Sequence, residues 1–161
     1  MPPQPASLKV ESTSFGHNQT IPKKYAFNGW GSDGDNVSPH VKWSGAPSGT
    51  KSFAVTIWDP DAPTTVGFWH WTIFNIPPSV TEIEEGKVPS GATQGYTDFG
   101  MSQYGGPAPP PGHGPHHYHI RVYALDVDNL PLDKGSTAAV LMFMMRDHIL
   151  AQGELVGIYE R

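Results

Sequence analysis

Apolar and polar positions alternate in short runs along this chain, and clusters of glycine and proline separate the runs. Period-two alternation marks a strand with one buried face, and an unbroken apolar run of similar length marks a strand buried on both faces. Leu8 to Phe15 and Val41 to Trp43 alternate. Ser52 to Trp58 (SFAVTIW) is apolar on both faces and reads as a central strand. Phe68 to Ile76 (FWHWTIFNI) is the next strong strand, stopped by Pro77-Pro78. Glu154 to Tyr159 alternates as a last short strand. The only helical signal comes late. Ser136 or Thr137 can cap a helix running to about Ala151, and its middle, AAVLMFMM, is apolar nearly all round, which predicts burial. The pattern predicts a mainly β protein, with antiparallel sheets, long ordered loops and one C-terminal helix near 137–150.

Between the strong strands and that helix lies Tyr104 to Asp126, YGGPAPPPGHGPHHYHIRVYALD. Its first half is glycine and proline with one histidine, which predicts an ordered, unusual loop. Its second half is rich in aromatic and β-branched residues and reads as a strand. Alternation puts His116, Tyr118, Ile120 and Val122 on one face, and His117, His119, Arg121 and Tyr123 on the other. Two polar rings at the mouth of an apolar face, beside a rigid loop, suggest a small pocket.

At 161 residues the chain fits one domain, 1–161, with Met1 to Ala6 as a Pro-rich, frayed tail. A net charge of −5 without any basic run argues against a nucleic-acid binder. The absence of cysteine removes disulfides and thiolate metal sites. The longest apolar run, Ala138 to Met145, is far short of the roughly 20 residues that span a bilayer. The first residues, MPPQPASL, lack the pattern of a signal peptide, so a cytoplasmic location without stable membrane insertion is expected.

Several segments invite chemistry. Asp59-Pro60-Asp61-Ala62-Pro63 places two carboxylates directly after a buried strand, where sites are often built, although turn chemistry alone explains many Asp-Pro clusters. His70 sits between Trp69 and Trp71, with Thr72 and Phe74 as its expected face-mates. Four histidines in seven positions, His113, His116, His117 and His119, raise a zinc site, but a closed site needs about four convergent ligands. Metal-free chemistry is therefore expected, with no cofactor. Gly29 to Gly34 spells GxGxxG without the apolar helix that fingerprint requires and reads as a loop. Asp98-Phe99-Gly100 matches a kinase motif by letters only. Glu82 to Glu85 reads as a solvated acidic loop. No GxSxG elbow occurs, yet a small hydrolase or lyase using Asp59, His70 and His116 as acid/base groups stays open as the alternative.

Taken together, Asp59-Pro60-Asp61-Ala62-Pro63, then His70-Trp71, Gly-Pro-x-Pro-Pro and His116-x-Tyr118 resemble the phosphatidylethanolamine-binding protein family, which includes the Raf kinase inhibitor proteins. GDNVSPHVKWSGAPSGTKSFAV and TDFGxxxYGGPAPPPG resemble its prokaryotic branch, where Thr97 replaces a typical Asn. The resemblance runs from Ser7 to Arg161 and implies an antiparallel β-sandwich with a small surface pocket for phosphate-type anions. By motif it implies Asp59, His70, Pro110, His116 and Tyr118 as ligand-binding residues, with Gly106 lining the wall. It further implies a non-enzymatic role, with a kinase or protease as a protein partner and a homodimer as one assembly. Animal members carry a further C-terminal segment beside the pocket, so a chain stopping at Arg161 implies a more open one.

The expected ligand suits the donors. Two histidines and a tyrosine supply N–H and O–H groups, and Asp59 is expected to accept a ring N–H and fix a histidine tautomer. No Lys or Arg belongs to the matched motifs, so positive charge must come from protonated histidine. Phosphate affinity is then expected to peak around pH 6 to 7. The crowded acidic turn also raises a cis Ala62–Pro63 bond.

Overall fold

The computed structural model describes residues 6–161. Ten strands appear in chain order: β1 (Ala6–Ser7), β2 (Lys9–Glu11), β3 (Gln19–Thr20), β4 (Val41–Ser44), β5 (Ser52–Asp59), β6 (Phe68–Ile76), β7 (Glu82–Ile83), β8 (Thr93–Gln94), β9 (His116–Leu125) and β10 (Ile149–Tyr159). One α-helix, α1 (Ala138–Met145), precedes the last strand. The strong sequence patterns, at β5, β6 and β9, form the middle of a large sheet ordered β1-β10-β9-β5-β6-β8, with β3 also on β10. A three-stranded sheet, β2-β4-β7, packs across it.

The core lies between the two sheets. Val41, Trp43 and Ile83 from the small sheet meet Phe53, Val55, Ile57, Ile73, Ile120 and Val122 from the large one. A second apolar cluster covers the other side of the large sheet, where Leu141 and Met145 of α1 pack on Ala54, Phe74, Tyr123 and Leu125. The sandwich is mainly β, as the alternation predicts. It is not wholly antiparallel, because β1 and β3 both run parallel to β10.

Other expectations are corrected. The long strand read over Leu8 to Phe15 is reduced to β2, because the chain changes sheets at Leu8: β1, just before it, pairs with β10, and β2 pairs with β4. Ala6, placed in the tail by sequence, belongs to β1, while residues 1–5 of that tail lie outside the described residues. The acidic patch contains β7, which pairs Ile83 with Val41 and buries Ile83. Thr137 caps α1 by accepting from the Val140 N–H, but the helix stops at Met145 rather than near Ala151. Ile149 and Ala151 are drawn into the ladder with Leu125 and Ala124 of β9, so sheet pairing overrides helix propensity. Nor is α1 buried all round: Phe143 is 61% exposed, with the Arg146 guanidinium 3.9 Å over its ring. Among the described residues, no helix is long and apolar enough to cross a membrane. No peptide bond among them is cis, so Ala62–Pro63 is trans.

Candidate functional site

β5 delivers Asp59 as its last residue, and β9 delivers His116 as its first, so the two meet at one end of the large sheet. Both are buried. The Asp59 Oδ2 accepts from His116 Nδ1 at 2.6 Å, and Oδ1 accepts from the Asp61 backbone N–H at 2.8 Å. Asp59 thus fixes the tautomer of a histidine, as its position in the sequence suggested. Two residues along the same face, Tyr118 packs its ring 5.1 Å from His70 in an edge-to-face contact.

His70 arrives by a different route. Ile57 pairs with Trp71 and Trp58 with Trp69, so β6 has one more residue than β5 at this point and His70 is the extra one. The bulge turns His70 toward the interior against Tyr118. Its expected face-mate Phe74 instead packs beneath α1 on the other side of the sheet. Nδ1 of His70 donates to the Gly105 carbonyl at 2.8 Å. Burial of the ring lowers its pKa, so it stays neutral, and its Nε2 then carries a lone pair rather than a hydrogen. The expectation that His70 supplies positive charge is therefore corrected.

These groups line a cavity of about 200 Å³ with Pro110, Pro63 and Thr64. Gly106, expected in the wall, is not among the lining residues. It is wedged behind them, where an added Cβ would lie 2.1 Å from the Tyr25 carbonyl oxygen, and its N–H donates to Asn36 Oδ1. The Pro/Gly loop is ordered as predicted. Tyr104 Oη donates to the Tyr25 carbonyl, the Phe27 N–H to the Pro107 carbonyl, and Arg161 Nε to the Pro109 carbonyl.

Three aromatic lining residues escaped the sequence reading as site residues, and a fourth residue entered it only as a candidate zinc ligand. Trp30, Phe68 and Phe99 form an aromatic wall of the cavity. Trp30 lies in the Gly29–Gly34 loop and Phe99 in Asp98-Phe99-Gly100, two segments whose letters pointed to other chemistry. His113 is the fourth: its Nδ1 lies 2.7 Å from Nε2 of His116, extending the polar chain to Asp59–His116–His113. The other clustered histidines go elsewhere. His117 pairs with Asp61 at 2.7 Å, and His119 Nδ1 lies 3.1 Å from Glu154. Among the described residues, no three His, Asp or Glu side chains are arranged to hold a metal ion.

The polar atoms of the cavity are specialised. Burial raises the Tyr118 pKa far above the ordinary phenol value, so its hydroxyl keeps its hydrogen, and that hydroxyl has no protein partner. Thr64, the other lining hydroxyl, donates to the Gly67 carbonyl. The arrangement offers a donor from Tyr118 and a ring nitrogen from His116, and its one unpartnered hydroxyl, that of Tyr118, is held protonated.

Fold and site together define a β-sandwich protein with a small histidine- and tyrosine-lined pocket at one end of its larger sheet. Residues 11–160 match the phosphatidylethanolamine-binding protein family, and the chain belongs to that family. It is 43% identical to the UPF0098 protein YbcL of Escherichia coli, over 98% of this chain and 90% of that one. It is 45% identical to the UPF0098 protein PH1269 of Pyrococcus horikoshii, over 96% of this chain and 77% of that one. The crystal structure of E. coli YbcL superposes with a TM-score of 0.93 at 42% identity, covering 97% of this chain and 99% of that one. A carboxypeptidase Y inhibitor complexed with its cognate proteinase shares the fold alone, at TM-score 0.57 and 21% identity, over 98% of this chain and 84% of that one.

Proposed function

We propose that this protein binds a small anion of the phosphate-monoester type in the cavity between Asp59, His70, His116 and Tyr118, without covalent chemistry. The observation that carries this reading is the Tyr118 hydroxyl: a buried donor without a protein partner, held protonated, on a residue that lines the cavity. An orphaned buried hydroxyl costs about 1–3 kcal/mol. A ligand oxygen accepting its hydrogen removes that cost. His116, braced by Asp59, supplies the second donor when its ring is protonated, and the resulting imidazolium offsets the charge of the anion beside Asp59.

Acid/base hydrolysis by Asp59, His70 and His116 fits less well. The Asp59 oxygens are both engaged, the Thr64 hydroxyl donates to the Gly67 carbonyl, and the Tyr118 hydroxyl is held protonated by burial. A kinase or protease partner, which the family resemblance implies, would be a further step, as would a cytoplasmic setting. Anion binding is the property that the pocket's own atoms support.

The test is Tyr118→Phe, titrated calorimetrically with inorganic phosphate. Removing an unpaired buried hydroxyl should leave stability unchanged or raise it by about 1 kcal/mol, while phosphate affinity falls about tenfold. Unchanged phosphate affinity in Tyr118→Phe would place the anion elsewhere.

A further inference from the structure

The cavity is larger than a phosphate and its polar groups are few. Its volume of about 200 Å³ exceeds what one phosphate fills. Asp59, Thr64, His70, His116 and Tyr118 are its polar lining residues. Trp30, Phe68 and Phe99 line the rest with prolines and Ala108, and the Phe68 and Phe99 rings each lie 5.2 Å from the His70 ring. A ligand that fills such a space carries an apolar body beside its charge.

Trp30 is the unusual member of that wall. It is 62% exposed, although a large apolar ring ordinarily gains from burial. Its backbone φ is 54°, in the left-handed region that a bulky side chain rarely adopts. Such strain tends to persist where function fixes it. The surrounding loop is held firmly enough to do so. The Ser32 N–H donates to the Gly29 carbonyl at 2.9 Å and the Gly34 N–H to the Phe27 carbonyl at 3.0 Å, and a Cβ on Gly34 would meet the Ala26 carbonyl oxygen at 2.2 Å. The Trp30 ring is supported by Phe27 and Phe99, with centroids 5.3 and 4.8 Å away.

The geometry of the wall distinguishes between possible bodies. Trp30 and Phe68 meet at 81°, and Phe68 and Phe99 at 80°, with centroids 6.1 and 4.8 Å apart. Phe99 packs directly on both other rings, at 32° to Trp30 and 80° to Phe68 with both centroids 4.8 Å away, so the rings touch one another instead of standing apart around an ammonium-sized gap. The one carboxylate among the lining residues, Asp59, is already bonded to His116 and to the Asp61 N–H. An ammonium group at the mouth must compete with those two bonds for Asp59, which is buried, while a flat uncharged ring finds an aromatic surface.

We infer that Trp30, Phe68 and Phe99 form a second subsite for a flat, uncharged aromatic body, and that the ligand class is an aryl-bearing anion rather than inorganic phosphate or an amino-alcohol phosphate. The inference rests on the anion pocket proposed above and adds the part of the ligand outside the charged head.

Calorimetric titration with three probes tests it: inorganic phosphate, phosphorylethanolamine and phenyl phosphate, each against the wild-type protein and Trp30→Asn. Asparagine tolerates the left-handed backbone and removes the ring, and circular dichroism checks that the variant is folded. Phenyl phosphate should bind the wild type about tenfold more tightly than inorganic phosphate, the order expected of one aromatic contact and the ring area it covers. Phosphorylethanolamine should stay within about twofold of inorganic phosphate, and Trp30→Asn should erase the phenyl advantage while leaving inorganic phosphate unchanged. Equal affinity for phenyl and inorganic phosphate, a phenyl advantage that survives in Trp30→Asn, or tighter binding of phosphorylethanolamine would overturn the aromatic subsite alone. No binding of any of the three would overturn the anion pocket and the subsite with it.

Discussion

Replacing His113 by alanine should strengthen anion binding, although it deletes an imidazole beside the pocket. The reason is a count of hydrogens. His116 gives its Nδ1 hydrogen to Asp59, so its Nε2 is the atom left to meet a ligand. That atom lies 2.7 Å from Nδ1 of His113, and the contact holds one hydrogen. Either His113 donates and His116 is neutral, or His116 donates and His113 accepts. In both states His113 holds the position an anion needs. An anion must break this bond, and the net worth of such a bond is about 0.5–1.5 kcal/mol. His113→Ala removes the competitor, so phosphate affinity should rise about two- to twelvefold at about pH 7.5. His113 can move aside: it is exposed, and Gly112 and Gly114 on either side have φ of 76° and 86° with open space around them. Its anchors are backbone bonds, from the Gly112 N–H to the Arg161 carbonyl and from the His113 N–H to the Pro110 carbonyl. The assay is calorimetric titration of phosphate into both proteins at about pH 7.5. Affinity unchanged or weakened in His113→Ala would show that His113 is no competitor and refute the reasoning.

Two further outcomes follow from individual residues. Burial lowers the His70 pKa, so the folded protein keeps this ring neutral while the unfolded chain protonates it below about pH 6.5. Its contribution is complete above that value and is lost as pH falls toward the folded pKa, by up to about 1.4 kcal/mol per pH unit. Urea unfolding at about pH 7.5 and about pH 5.5 should show a larger acid loss in the wild type than in His70→Phe; equal losses would mean that His70 is not held neutral. Gly106→Ala should destabilise the fold by about 3 kcal/mol, because the new Cβ meets backbone 2.1 Å away rather than a side chain that can yield; a melting temperature within a degree or so of wild type would show that the loop simply shifts.

The parts of this molecule that were legible in the sequence are those governed by local rules. SFAVTIW, FWHWTIF and HIRVYAL carry enough β-branched and aromatic residues to become β5, β6 and β9, and the proline-glycine run before β9 could only be an irregular loop. β3, β7 and β8 were not legible, because two-residue strands have no period of their own and exist only through their partners on β10, β4 and β6. α1 ended early for the same reason. AAVLMFMM is helical by propensity, but Ile149 onward pairs with β9, and the ladder outweighs another turn of helix.

The site divides along the same line. His116 and Tyr118 share a face because strand alternation puts them there, and Asp59 follows from lying at the end of a buried strand. His70 does not follow: alternation assigns it to the side of Thr72 and Phe74, and only the extra residue opposite Ile57–Trp58 turns it inward. A bulge of this kind belongs to the pairing of two strands, so neither strand's sequence announces it. Trp30, Phe99 and His113 are further removed, since each sits on a loop whose position is set by backbone bonds to distant carbonyls, such as Phe27 to Pro107 and Gly112 to Arg161. The charged end of the pocket is thus encoded by strands and is readable. Phe68 also comes from a strand, but Trp30, Phe99 and the competing histidine are carried by loops, and it is in those loops that members sharing Asp59, His116 and Tyr118 can differ in what they bind.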